Sequence, residues 1–234
     1  MVTKHLNKKD LHDKVIDVHS HVGSAIGSFL CKEYPYAQTA ESLYYRQLAG
    51  NVDVNIVFPF LPELTFDLAN LQKGKKTLAK EPLSSPPYIL ENEMLMREIF
   101  DYCPELSRRF VPFVSVDPGR QVSQQLRALE DLEKQYPIYG VKVHPVGCLS
   151  HATELLDSGA GLLDFAEERD IPFLFHATTL PNDEYSQASD LLDIASSRSK
   201  MRFCLAHCLI FNKEMLDKAS HASTVWIDTA AMKI

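Results

Sequence analysis

Asp17, His19 and His21 occupy alternate positions in Val15-Ile16-Asp17-Val18-His19-Ser20-His21. In an extended strand alternate side chains point to one face, so the two imidazoles project side by side and one cation can take both. On its own such a motif reads equally well as a pair of satisfied or surface histidines. Groups of the same chemistry recur down the chain, however: Lys142 with His144, then His176, His207 and Asp228, each towards the end of an apolar run. A buried imidazole must find polar partners, so four runs ending in histidine are hard to explain as core packing.

The runs that carry these residues read as strands. The first covers residues 15–21, and Thr39 caps a helix whose apolar positions include Leu43, Tyr44 and Leu48. Residues 51–60 form a second strand ended by Pro59, which cannot donate to a ladder. Later strands are expected at 110–118, 138–145, 171–178, 201–208 and 224–230. Between them, Val122, Leu126, Leu129 and Leu132 recur at helical spacing, as do Leu162, Leu163 and Ala166, then Ala188, Leu191, Leu192 and Ala195, then Met215, Leu216 and Ala219. Strands this continuously apolar, alternating with helices, predict a parallel sheet buried on both faces. The expected fold is therefore α/β, a TIM-like (β/α) barrel with seven strands visible and the eighth missing. A doubly wound sheet ranks second, because no Gly-rich phosphate fingerprint follows the first strand. Barrel enzymes place their active sites at the carboxyl ends of the strands, which is where these polar residues fall.

Residues 61–108 break the repeat and are read as an excursion over the mouth of the fold, with a helix around residues 91–102. Lys73, Lys75 and Lys76 within it read as a solvated face, and Phe29, Tyr34 and Tyr36 in the preceding loop are candidate pocket aromatics. At 234 residues one domain over 1–234 is the default. A formal charge of −7 opposes the positive field that nucleic-acid binding needs. No stretch approaches the ~18–20 apolar residues of a membrane span, and the start lacks the apolar core of a secretory signal, so the expected setting is cytoplasmic. Cys31, Cys103, Cys148, Cys204 and Cys208 form no CxxC pair, so neither a disulfide framework nor a thiolate zinc site around His207 is expected. His5, His12, His151 and His221 fall on surface or helical stretches and read as solvated.

In this order the motifs resemble the amidohydrolase superfamily, and within it the amidohydrolase-2, or amidohydrolase-related, group of metal-dependent hydrolases and decarboxylases. The matching residues are Asp17-Val-His-Ser-His21, Gly140-Val-Lys-Val-His-Pro145, Phe175-His176, Leu205-Ala-His207 and Trp226-Ile-Asp-Thr-Ala230. The resemblance implies a divalent metal, commonly zinc, on His19, His21 and His176, with coordination positions left for water or substrate. It implies hydrolysis of a C–N or C–O bond, or non-oxidative decarboxylation, of a small organic substrate through a metal-activated water. His207 would be the acid/base, or a ligand of a second metal. Lys142 would either bridge two metals as a carbamate or, with His144, contact substrate; the mononuclear reading is preferred. Asp17 would orient the metal-binding histidines.

The family pattern also has an eighth-strand aspartate that nothing after Ala230 supplies, so the expectation is a shortened form of a longer product. The competing readings are a metal-binding homologue without catalytic competence and, lower, a metal-dependent nuclease or phosphoesterase. A small-molecule substrate is the expected partner, with homo-oligomerisation left open.

Overall fold

The computed structural model describes residues 6–32 and 37–231, so His5, Tyr34 and Tyr36 lie outside the described residues. The chain divides into two compact units, Met1–Val114 with Glu130–Ile138, and Ser115–Leu129 with Tyr139–Ile234.

The first unit opens with β1 (Ile16–His21), β2 (Gly23–Ser24), α1 (Ile26–Leu30), β3 (Ala37–Gln38) and α2 (Ala40–Gly50). It continues through β4 (Val54–Phe58), α3 (Leu68–Leu71), α4 (Ile89–Arg97) and β5 (Phe110–Pro112). Thr39 and Ser42 cap α2 reciprocally, each side-chain oxygen taking the other's N–H at 3.0 Å, which satisfies two of the orphan donors of a helix start. Left-handed Asn51 (φ 53°) ends it. Strands β1, β4 and β5 pair as a parallel sheet in that order. Val22, Leu43, Val57, Leu95, Ile99 and Phe110 make the core beneath them.

From Val114 the chain builds β6 (Val114–Val116), α5 (Val122–Glu133), β7 (Val141–Val143), α6 (Pro145–Cys148) and α7 (Ala160–Glu168). Then come β8 (Phe173–Phe175), α8 (Ala188–Ser197), β9 (Phe203–Leu205), α9 (Lys213–Ser220) and β10 (Val225–Ile227). The five strands are ordered β10-β9-β8-β7-β6, with β7/β8, β8/β9 and β9/β10 parallel. All three residues of β7 and of β8 are buried, as a sheet covered on both faces requires.

The expected third strand at 110–118 is two strands, β5 and β6, in different sheets. Phe113 stands between them, its N–H still bonded to Val57 O of β4 at 2.8 Å in register with the β4/β5 pairing. Pro112, with no N–H, stands just before it and weakens the ladder there. The expected sixth strand also stops early, at Leu205, because residues His207 to Phe211 all take positive φ, between 47° and 63°. Such a left-handed turn costs L-residues roughly 1–2 kcal/mol each. Ile210, β-branched and 39% exposed at φ 53°, can lose its side chain with little lost packing. Ile210→Gly is therefore expected to raise stability by roughly 1 kcal/mol, read as a higher urea midpoint at unchanged m-value.

Candidate active site

In the first unit the two motif histidines are neighbours, their ring centroids 5.6 Å apart. Each packs edge-on against Phe58, at 4.9 Å for His19 and 4.6 Å for His21, and Phe60 stacks on His21 at 4.7 Å. The His21 Nδ1 lies 3.0 Å from the Pro59 carbonyl oxygen. A carbonyl only accepts, so Nδ1 carries the proton and the lone pair of the neutral ring falls on Nε2.

Strict alternation does not carry through β1. Ile16 and Asp17 pair with Val54 and Asn55, but Ser20 and His21 pair with Val57 and Phe58, so β1 holds one extra residue between Asp17 and Ser20. Such a bulge redirects side chains. As a result the recorded bonds of Asp17 run to the strand rather than to the imidazoles. Its carboxylate takes the His19 N–H at 3.0 Å, the Ser20 hydroxyl at 2.9 Å and the Asn55 amide at 2.8 Å. Asp17 thus fixes the backbone that presents His19, and Gln47 holds Asn55 in turn. A cavity of about 210 Å³ lies along this stretch, bordered by Asp17, His19, His21 and Arg46.

The second unit gathers the later candidates. The imidazole of His176 stacks on that of His144, centroids 3.9 Å apart and 10° from parallel. Parallel rings send their lone pairs in parallel directions, which do not converge on one ion. His144 is also committed locally, its Nδ1 accepting the Gly147 N–H at 3.1 Å as the cap of α6. His176 Nδ1 lies 3.0 Å from His207 Nε2, and His207 Nδ1 lies 2.9 Å from the Ala230 carbonyl oxygen. The neutral network has one direction. His207 donates from Nδ1 to Ala230 and accepts at Nε2 from His176, which puts the lone pair of His176 on Nε2.

Asp228 is the residue whose part could not be read from the sequence. It is buried, and its Oδ1 takes the backbone N–H groups of His207 at 2.9 Å and Ala230 at 3.0 Å. It therefore locks both ends of the His207–Ala230 contact and the start of the left-handed turn. The sequence signal available was the spacing alone, a carboxylate two residues before the terminal Ala of its run. Lys142 is 2% exposed. Its burial pushes the ammonium down to about 7, against the pull of Asp228 and Cys204. The Cys204 thiol is pushed up to about 12 by burial and by Asp228, so it stays a thiol at neutral pH.

Among the other histidines, His12 and His221 are exposed, whereas His151 packs on Tyr185 at 4.7 Å. Phe29 is 67% exposed. Lys73, Lys75 and Lys76 are exposed as expected. Among the described residues no three His, Cys, Asp or Glu side chains are gathered in a group that could hold a metal ion. The tautomers of two of the histidines nonetheless suit a ligand's role. His21 and His176 each have Nδ1 tied by hydrogen bonding and the lone pair on Nε2, the arrangement that metal-binding imidazoles adopt.

Parallel strands alternating with helices define an α/β fold, and solved TIM-barrel structures share it. No protein-family model matches the sequence, and no curated protein does. A probable 2-pyrone-4,6-dicarboxylic acid hydrolase from Acinetobacter baumannii, solved with citric acid bound, superposes at TM-score 0.57 and 15% identity over 93% of this chain and 70% of that one. An uncharacterized TIM-barrel protein from Bordetella bronchiseptica does so at 0.59 and 11%, over 92% and 75% respectively. The Metarhizium anisopliae IDCase in apo form matches at 0.59 and 10%, over 96% and 80%. The fold is of the TIM-barrel class. Among the described residues no helix is long and apolar enough to cross a membrane.

Proposed function

We propose that this chain is a metal-dependent hydrolase of the amidohydrolase type, acting on a small organic substrate by C–N or C–O hydrolysis, with non-oxidative decarboxylation as the sister chemistry. The observation that carries the reading is the tautomer fixed at two of the proposed ligands, His21 by the Pro59 carbonyl and His176 by His207, which the Ala230 carbonyl orients in turn. Metal sites depend on such outer contacts to fix the tautomer and aim the ring. Likeness of fold to a hydrolase and to an IDCase supports it.

His19, His21 and His176 are the proposed ligands, the third taken from the sequence resemblance. They would hold a divalent metal, zinc by donor type, which when bound would supply Lewis acidity towards a substrate carbonyl and acidify a water. His207 is the proposed proton carrier. Its Nδ1 is held by Ala230 and its main chain by Asp228, so Nε2, which here accepts from His176 Nδ1, is the atom that would have to exchange a proton. Phe58 packs edge-on against both rings of the first pair and Phe60 stacks on His21, which fixes their orientation.

The test is metal content by elemental analysis of protein purified without chelator, beside the His19→Ala/His21→Ala double variant. Roughly one equivalent in the wild type and its loss in the variant is the expected result. His207→Ala is expected to keep the metal and lose at least ~100-fold in turnover. No metal in the wild type even after supplementation, or equal content in the double variant, overturns the reading. Equal metal loss in His207→Ala and His176→Ala would make His207 a ligand instead.

A further inference from the structure

His144 is the imidazole of the second-unit cluster that the proposed ligands and proton carrier leave out. Its place follows from the sheet. Val143 and Phe175 are register partners in β7 and β8, and the His176 N–H bonds back to the Val143 carbonyl at 2.9 Å, so His144 and His176 leave the two strands side by side. A residue before proline is steered away from the helical region, and His144, followed by Pro145, stays non-helical at φ −124° and ψ 79°.

The ring of His144 is then anchored from its own chain. Its Nδ1 accepts the N–H of buried Gly147 at 3.1 Å, an N–H that must find an acceptor. Accepting there occupies the Nδ1 lone pair, and the neutral ring carries its proton on Nε2, the reverse of His176. Neutral His144 therefore has no nitrogen lone pair to give a metal, and what it presents to His176 is a ring face. The two rings lie 3.9 Å apart and 10° from parallel, closer and more nearly face to face than aromatic pairs ordinarily settle. Register and cap impose this stack; ring attraction alone does not select it. A hydrogen bond at one nitrogen lets an imidazole swing about that contact, and a stacked neighbour removes the freedom.

The geometry points to His144 as a positioning residue for His176: a capped, non-ligating imidazole whose face fixes the ring plane on the next strand, so that His176 keeps Nδ1 on His207 and its Nε2 lone pair in one direction. That this direction serves a metal rests on the hydrolase reading; the positioning itself does not.

Two substitutions separate the stack from the cap. His144→Asn keeps a capping acceptor for Gly147 and removes the ring face, whereas His144→Phe keeps a ring face and removes the acceptor. On metal-free full chain carrying isotope-labelled histidine, at about pH 8.5 where ordinary imidazoles are neutral, long-range proton–nitrogen correlation NMR reads the tautomer of His176, assigned by loss of its signal in His176→Gln. The wild type is expected to carry the proton on Nδ1, His144→Asn to show a mixture of both tautomers while unfolding at the wild-type temperature, and His144→Phe to keep Nδ1–H while unfolding lower. Zinc affinity, by chelator competition, is expected to fall about tenfold in His144→Asn and to stay within about threefold in His144→Phe, as for loss and retention of an outer contact to a ligand. An unchanged His176 tautomer in His144→Asn overturns the positioning, and that variant decides alone if His144→Phe does not fold. A tautomer change in folded His144→Phe as large as in His144→Asn also overturns it, by assigning the effect to the cap. A wild type that takes no zinc overturns only the hydrolase reading, since the tautomer measurement needs no metal.

Discussion

Asp117→Ala is expected to lower the unfolding free energy by about 3 kcal/mol, enough to threaten a domain of ordinary stability. Asp117 is 1% exposed. Its Oδ2 takes Arg120 Nη1 at 2.6 Å, and its Oδ1 takes the Ser150 hydroxyl at 2.6 Å and the Gly119 N–H at 3.0 Å. Arg120 reaches on to the carbonyls of Cys148 at 2.6 Å and Leu149 at 2.9 Å, so the turn after β6 is tied to the turn after β7 through one ion pair. Gln125 closes the group by bonding the main chain of Asp117 in both senses. Removing the carboxylate leaves the guanidinium half-buried among carbonyls and takes away the acceptor of the Ser150 hydroxyl proton, although that oxygen still accepts from Arg120 Nη1 at 2.6 Å. Breaking a buried pair costs about 3–5 kcal/mol, and the 23% exposure of Arg120 argues for the lower end. The measurement is urea denaturation followed by far-UV circular dichroism, with the midpoint falling at unchanged m-value. The Asp117→Ala/Arg120→Ala double variant is expected to lose less than the sum of the singles, because the two share one interaction. A cost below about 1 kcal/mol for Asp117→Ala would mean that the carboxylate is not the keystone of these turns.

This network shows what a sequence can and cannot disclose here. The run ending in Asp117-Pro118 was readable as a strand with an acidic end, but nothing in it told Asp117 from an active-site carboxylate. Its partner, Ser150, lies on a different connection, and the pairing exists only once two strands are adjacent. Periodicity made the helices legible: α2 begins after Thr39 and α5 carries Leu129 on its buried side, as expected. The helix expected around residues 91–102 starts at Ile89 and loosens into a wider turn from Glu98. The bulge in β1 was not legible, because an extra residue in one strand shows only against the register of its neighbour. The left-handed turn after β9 was equally silent. His207-Cys-Leu-Ile-Phe211 contains neither glycine nor asparagine, the residues that announce positive φ. It is Asp228, some twenty residues on, that pins its start. In the candidate site the residue types were readable. Which histidines act as acceptors, which stack and which are held was not, since tautomer and orientation follow from carbonyls at Pro59 and Ala230.

Lys142 should make the protein more stable as the pH rises from 7 to 10, by an amount on the order of 4 kcal/mol attributable to this side chain. In the folded chain its pKa is about 7 against the ordinary 10.5, because burial opposes the charge more than Asp228 and Cys204 favour it. Below about pH 7 both folded and unfolded chains carry the ammonium, and the full cost of burying it weighs on the fold. Between about 7 and 10.5 the unfolded chain still binds the proton that the folded chain has released, so stability climbs with pH. Above that range neither carries it and the penalty is gone. Lys142→Met keeps the stem and removes the amine, while Asp228 retains the N–H groups of His207 and Ala230. The variant is therefore expected to exceed the wild type in urea stability at pH 7 and to approach it near pH 10; parallel pH curves for the two proteins would refute the assignment. The same burial bears on the choice between one metal and two. A permanent ammonium beside a cation would repel it, which argued for a substrate contact and a mononuclear site. An amine that is half neutral at pH 7 no longer carries that objection, and a neutral amine is the form able to take up carbon dioxide as a bridging carbamate. If metal analysis returns two equivalents, the loss of the second in Lys142→Met, with folding intact, is what distinguishes a bridging lysine from one that is merely buried.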